Sequence, residues 1–465
     1  MLSVVSMFSN RQTESYRLHS FCAKSAEKVL SALKISRGGK LRFGLRGSFR
    51  PGLVSRLEPG HFDVSASVRC CNVAFELSSR SLLMPPFPDL SAAAGAVNDA
   101  VYSGLSRRPR SGQPPVPLHV GDTWMEPAEG CRMQDLTVEA HPGMHRYSAV
   151  PGLPALRSRI AEFHGQRTGI TTDSEQVIVT AGATAGLAAT VAALVSPGDE
   201  VLLVAPYWPL IGGSLRAFGA SPVDVPMMTQ AESAAEAVAC LEAHASDRTV
   251  AVYWNTPHNP TGRLIPRDWL EAMVEWARKR DLWILSDDVY EEYVFEGEHV
   301  YTRSLAPERT ISVHSFSKAY GMAGNRCGYL VGPESAMGGV KRIMTNINYS
   351  ACTASQLAAL NALEGAADQW VQQARQKYAE LGRWSAERLG VPAPQGSTFL
   401  FIDVADQLDA RGLDGLLGDL AEDGVMVAPG PSFGPYPHHI RLCFTAAEPD
   451  AVRRGVELLA RRLGR

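Results

Sequence analysis

The chain has 465 residues, 45% of them hydrophobic and 20% charged, with a formal net charge of −3 at pH 7. That profile excludes a disordered or fibrous protein, and no run of about 18 apolar residues marks a membrane-spanning helix. Residues 1–83 carry 13 Lys and Arg against 5 Asp and Glu, whereas residues 84–465 carry 32 against 43, an acidic balance that argues against nucleic acid as the main partner.

The Ser- and Arg-rich front segment lacks clean periodicity apart from a helix-like piece at 27–33. A transit-like leader, a loosely packed extension, a basic arm and a translation start ahead of Met84 are all open readings of it. The eight cysteines are scattered without C-x-x-C pairs. Such usage favours reduced thiols and a cytoplasmic protein, with organelle targeting by the basic leader as the alternative.

The run RRPRSGQPPVP, residues 107–117, reads as an extended connector. From Val177, VIVTAG is an apolar strand running into Gly182, and ATAGLAATVAALV follows at helical density. EVLLVAP is a buried strand ending at Pro206, TVAVYWN another ending at Asn255, and a helix is expected over 266–279. WILSDD carries Asp287 at its end, and TISVHSFS is a further strand. A long helix is expected over 358–389, followed by the shorter strands TFLFIDV, VMVAPG and HIRLCF. Short apolar strands separated by helices predict an α/β fold whose function gathers at the strands' carboxyl ends. The expected organisation is a leader at 1–83, a large domain with a mainly parallel sheet at 122–350, and a smaller α+β domain at 351–465 completed by 84–121.

The strand ends carry the chemistry. SVHSFSKAYGMAGNR places Lys318 after a strand, among Ser315, Ser317 and Arg326. Hydroxyls and a guanidinium suit a phosphate dianion, and a lysine held at a sheet edge suits covalent occupation, although a surface lysine beside a Gly-rich turn has the same pattern. AGATAGL puts the backbone N–H groups of Gly182, Ala183 and Thr184 at a helix N-terminus, where they can cradle phosphate or simply make a tight turn. NTPHNPTG supplies an amide at Asn259, and Asp287 needs a cation, such as a protonated ring nitrogen, unless it caps a following helix. Trp208 offers a flat apolar face or a core packing residue. HPGMH, with His141 and His145, is not read as a metal site because Pro and Gly between the histidines break the helix such a pair needs.

In order along the chain these motifs resemble the class I/II aminotransferases, pyridoxal-phosphate-dependent enzymes of fold type I, over roughly 84–465. The resemblance implies pyridoxal 5′-phosphate as cofactor, joined to Lys318 as a Schiff base, with Arg326 on its phosphate. AGATAGL then matches the phosphate-cradling turn, Asn259 and Tyr290 the partners of the 3′-oxygen, and Asp287 the partner of the pyridinium nitrogen. PYWP gives Trp208 as the ring-stacking aromatic. HRYSAVPG gives Tyr147 as a residue that reaches a phosphate across a homodimer interface. HIRLCF gives Arg441 as the clamp on the substrate α-carboxylate, alongside Asn259. GDTWMEP falls where the family has a substrate-facing loop, which brings in Gly121 and Trp124. The implied activity is transfer of an amino group from an amino acid to a 2-oxo acid. A lyase of the β- or γ-eliminating or ACC-synthase type shares the same early chemistry, and a non-catalytic binder on this scaffold is the more distant rival.

Overall fold

A computed structural model describes residues 90–97, 109, 112 and 114–465, together with the backbone of two short strands, Leu33–Ile35 and Leu41–Phe43, which pair antiparallel. The remainder of the basic front segment, including 27–32 of its helix-like piece, lies outside the described residues, as does part of the 107–117 connector. Among the described residues no helix is long and apolar enough to cross a membrane.

After α1 (Pro154–Thr168), a seven-stranded sheet forms from β1 (Val177–Thr180), β2 (Glu200–Val204), β3 (Ser221–Val225), β4 (Thr249–Asn255), β5 (Trp283–Asp287), β6 (Thr310–Ser315) and β7 (Gly328–Val331). Their order across the sheet is β1-β7-β6-β5-β4-β2-β3. β2 to β6 run parallel, and β7 pairs antiparallel with both β1 and β6. The strands read as near-continuous apolar runs because helices cover both faces, and successive side chains go to opposite cores. Val201, Leu203, Ala251, Tyr253 and Leu285 pack on one side with Leu187 of α2 (Ala183–Leu194), and with Ile211 and Leu215 of α3 (Pro209–Ala217). Leu202, Val204, Val252, Trp254 and Ile284 pack on the other with Leu241 of α4 (Ala234–His244), and with Leu270 and Met273 of α5 (Arg267–Lys279).

Beyond α6 (Glu334–Ile347), the helix expected over 358–389 is two helices, α7 (Thr353–Asn361) and α8 (Asp368–Leu389). The break falls at Gly365, whose φ of 107° no helix accommodates and which glycine adopts without a Cβ clash. Then come β8 (Phe399–Asp403), α9 (Gly412–Asp423), β9 (Ala428–Pro429), β10 (His439–Cys443) and α10 (Pro449–Arg462). β8, β10 and β9 form a second, antiparallel sheet with β10 in its centre. Ile440 and Leu442 of β10 join Tyr378 and Leu381 of α8 and Val456 and Leu459 of α10 in its core. VMVAPG contributes only Ala428–Pro429 as strand, because Val425 bridges instead to Val116. The chain at 116–118 bonds along this smaller sheet, with Val116 N–H donating to the Gly424 carbonyl and Cys443 N–H to the Leu118 carbonyl.

Candidate active site

The register of the large sheet levels its polar strand ends. Asn255 lies opposite Asp287, Ser315 opposite Gly328, and Gly328 opposite Thr180. Because β7 runs antiparallel, its first residues arrive at the same edge as the last residues of the parallel strands, which brings Arg326 there. A cleft of about 150 Å³ opens at this edge. Of the residues singled out by sequence, Ala183, Thr184, Trp208, Asn259, Asp287, Tyr290, Ser315, Ser317, Lys318 and Arg326 line it together.

Lys318 sits in a short helical turn, Phe316–Ala319, rather than on the strand, because Ser315 caps that turn by accepting the Ser317 N–H at 3.1 Å. The Tyr293 hydroxyl donates to the Lys318 carbonyl at 2.7 Å and holds the turn down. The amine itself donates to the Gly121 carbonyl. Burial, only partly opposed by the Asp122 carboxylate, lowers its pKa, so the neutral nucleophilic amine is reached at lower pH than in an exposed lysine.

At one end of the cleft the β1–α2 turn passes over Gly182 at a φ of 79°, and the Arg326 guanidinium fills the space where a Cβ at 182 would stand. Gly328 permits the same approach from below: a Cβ there would lie 2.8 Å from Ala183 N and 2.7 Å from the His314 carbonyl. Arg326 also donates to the Ser317 hydroxyl at 3.4 Å. Free N–H groups of a twelve-residue helix, a guanidinium and two hydroxyls therefore converge on one spot, an arrangement suited to a dianion.

Asp287 is 4% exposed, and burial raises its pKa from 3.8 to about 6 although Tyr253 donates a 2.7 Å hydrogen bond to Oδ2. No helix follows it; the chain turns, and the Val289 N–H reaches Oδ1 only at 3.4 Å. Its position is set by Asn255, which donates through Nδ2 to the Asp287 carbonyl at 2.6 Å and accepts the Asn259 N–H at 2.6 Å. Tyr290 packs edge-on against Phe399 at 5.6 Å, and burial, outweighing the Arg441 charge, pushes its phenol well above 10, so it remains a donor.

Arg441 is 2% exposed. Its guanidinium carbon lies 4.3 Å and 4.7 Å from the ring centres of Phe399 and Phe433. It donates to Asn259 Oδ1 at 3.2 Å and to the His119 carbonyl at 2.6 Å. A Cβ on Gly121 would stand 3.1 Å from Phe399 and 3.9 Å from the guanidinium, so the bare backbone there lets the chain pass close to both. Trp124 does not line the cleft; its ring meets Tyr378 edge-on at 6.3 Å, with the Lys377 amine 5.7 Å from its centre. Tyr147 is 89% exposed, and its ring meets that of Tyr349 at 5.3 Å.

Sequence reasoning passed over Asn255, Tyr253, Phe399 and Phe433. A polar residue ending the apolar run TVAVYWN was a signal for Asn255; nothing local marked the two phenylalanines, which reach Arg441 only through the second sheet.

A profile of aminotransferase class I and II matches residues 119–459. An aspartate/prephenate aminotransferase from Thermus thermophilus is 32% identical over 332 residues, covering 70% of this chain and 84% of that protein. An arginine–pyruvate transaminase from Pseudomonas aeruginosa is 36% identical over 337 residues, covering 69% and 84%. Among solved structures, the Thermus thermophilus aspartate aminotransferase with maleate superimposes with a TM-score of 0.73 at 28% identity, over 81% of this chain and all of that one.

Proposed function

We propose a division of labour for the cleft of a chain that belongs to the class I and II aminotransferase family: Lys318 would hold pyridoxal phosphate covalently between turnovers and give up that bond to the substrate nitrogen, so that an amino group passes from an amino acid to a 2-oxo acid. That the chain is an amino acid aminotransferase follows from its relatives. The family uses pyridoxal phosphate. The assignment of residues is our own reading, and the observation that carries it is a half-buried amine and a buried, cation-poor carboxylate facing one cleft.

The residues fit the cofactor. Asp287 carries a raised pKa because burial meets too little positive charge, and a protonated ring nitrogen is the partner that would restore its ionised form. The α2 N-terminus, Arg326, Ser315 and Ser317 suit the phosphate, Asn259 and Tyr290 the ring oxygen, and Trp208 a ring face. When bound, the cofactor supplies an electron-withdrawing ring joined to the substrate nitrogen.

Arg441 binds the substrate carboxylate through two parallel N–H bonds, its plane held by the two phenylalanine rings and by Asn259. With the carboxylate fixed, the Cα–H bond would be oriented toward Lys318, whose neutral amine, once freed from the cofactor by the substrate nitrogen, would be placed to take and hold that proton. Closure of Phe399 and Phe433 around the guanidinium excludes water from this contact. The exposed Tyr147 and Tyr349 rings support a homodimer in which this surface meets a second copy. Sedimentation tests that point, since a fully active monomer contradicts it.

A screen of amino donors against several 2-oxo acids, following keto acid and ammonia together, tests the reaction. Stoichiometric exchange of amino groups is expected; ammonia release without an acceptor overturns transamination in favour of elimination.

A further inference from the structure

One buried charged cluster beside the cleft has no part in the chemistry above. His314 lies on β6, four residues before Lys318; its side chain is fully buried, and its Nδ1 meets Glu291 Oε1 at 2.9 Å. Glu291 directly follows Tyr290 on the turn that leaves Asp287. Its second oxygen lies 3.6 Å from Arg167 of α1, which also pairs with Glu292 at 2.5 Å. The His314 ring stacks on Tyr329 of β7, three residues after Arg326, with centres 4.6 Å apart and planes 9° apart. His164 of α1 meets the same ring edge-on at 5.3 Å, and Asp288 nearby pairs with His299 at 3.3 Å.

A single imidazole therefore touches the three segments that carry Lys318, Arg326 and the Asp287–Tyr290 pair. Burial opposes charge on both partners, yet Glu291 raises the pKa of His314, while His314 and Arg167 hold the Glu291 carboxyl below the ordinary range. Both shifts favour the ionised form of the pair, whose two groups meet at 2.9 Å out of water. Buried pairs of this type often add no net stability over apolar residues of the same volume. What this one fixes is geometry, and its cation also favours ionised Asp287.

We propose that His314 and Glu291 are positioning residues: their buried ion pair locks the lysine-bearing strand end against the turn bearing Asp287 and Tyr290. This rests on the assignment of Lys318 and Asp287 to the cofactor. Neither side chain needs to touch substrate for the pair to act, because β6 and the 288–293 turn are joined through it.

The test uses holoenzyme of Glu291→Gln, His314→Asn and the double variant. Steady-state kinetics and the pH midpoint of the cofactor's visible band are read for each. Glu291→Gln takes the carboxylate from His314, and His314→Asn leaves Glu291 only the more distant Arg167 at 3.6 Å; kcat is expected to fall at least about tenfold with KM for the amino donor within about threefold. The midpoint should move by about half a pH unit or more in each single variant and return toward wild type in the double, where no lone charge remains. A bystander role in packing does not produce that return. Wild-type kcat and midpoint in the single variants overturn the proposal, as does a loss of kcat that merely follows lost cofactor content while the midpoint stays fixed. If His314→Asn does not fold, the isosteric Glu291→Gln carries both readouts. A wild-type protein with no visible band would defeat the cofactor assignment itself, a result distinct from either outcome.

Discussion

Replacing Asp287 by Asn tests the electrostatics of the cleft in both directions. In the cofactor-free fold the carboxyl pKa stands at about 6 instead of 3.8, so the fold binds its proton more tightly than the unfolded chain does. Stability consequently falls as pH rises from 3.8 to about 6, and the full cost is present above that window. A shift of this size corresponds to about 3 kcal/mol, and at 4% exposure little solvent screening reduces it. Asn keeps an oxygen for the 2.7 Å Tyr253 hydrogen bond but cannot ionise. Cofactor-free Asp287→Asn should therefore resist urea better than wild type near pH 8, by up to about 3 kcal/mol, and should lose that advantage near pH 4. With cofactor the sign reverses. Loss of the buried carboxylate from a charged partner costs about 3 to 5 kcal/mol, so turnover should fall by roughly two to four orders of magnitude. A variant no more stable than wild type at high pH, or one retaining turnover within about tenfold, refutes the reasoning.

Gly182→Ala forces a Cβ into the Arg326 guanidinium at a φ of 79°, costing about 1 kcal/mol in backbone strain before any displacement. Titration of cofactor-free protein with pyridoxal phosphate should show Kd raised at least about tenfold, and an unchanged Kd argues against a phosphate cradle there. Arg441→Lys keeps the charge but loses the paired N–H groups and the stacking on Phe399 and Phe433. It should lower kcat/KM by about thirtyfold, some 2 kcal/mol, with cofactor affinity unchanged; equal losses in both would place Arg441 in cofactor binding instead.

The cleft was legible in the sequence where a functional residue sits on the strand end that its own motif forms. Lys318, Asp287, Asn259 and Gly182 each end or follow an apolar run, and a parallel sheet brings such ends to one edge. The α/β class followed from the same runs. What needed the structure is nonlocal. Tyr253 reads as one more core residue of TVAVYWN until β5 is placed beside it, and the two rings that hold Arg441 come from Phe399 on β8 and Phe433, outside any strand. Gly365, whose left-handed backbone divides α7 from α8, is one glycine among alanines and leucines that otherwise favour a continuous helix. The orientation of Trp124 was hidden for a similar reason, since Tyr378 and Lys377 come from α8, far along the chain.

The chemistry of the cleft turns on where the cofactor is attached. Borohydride reduction of purified holoprotein, followed by peptide mass mapping, makes that attachment permanent and locates it. The pyridoxyl group is expected on the peptide containing Lys318, with loss of the visible band and of turnover in step. A reduced cofactor found on another lysine, or released free with Lys318 unmodified, would contradict it.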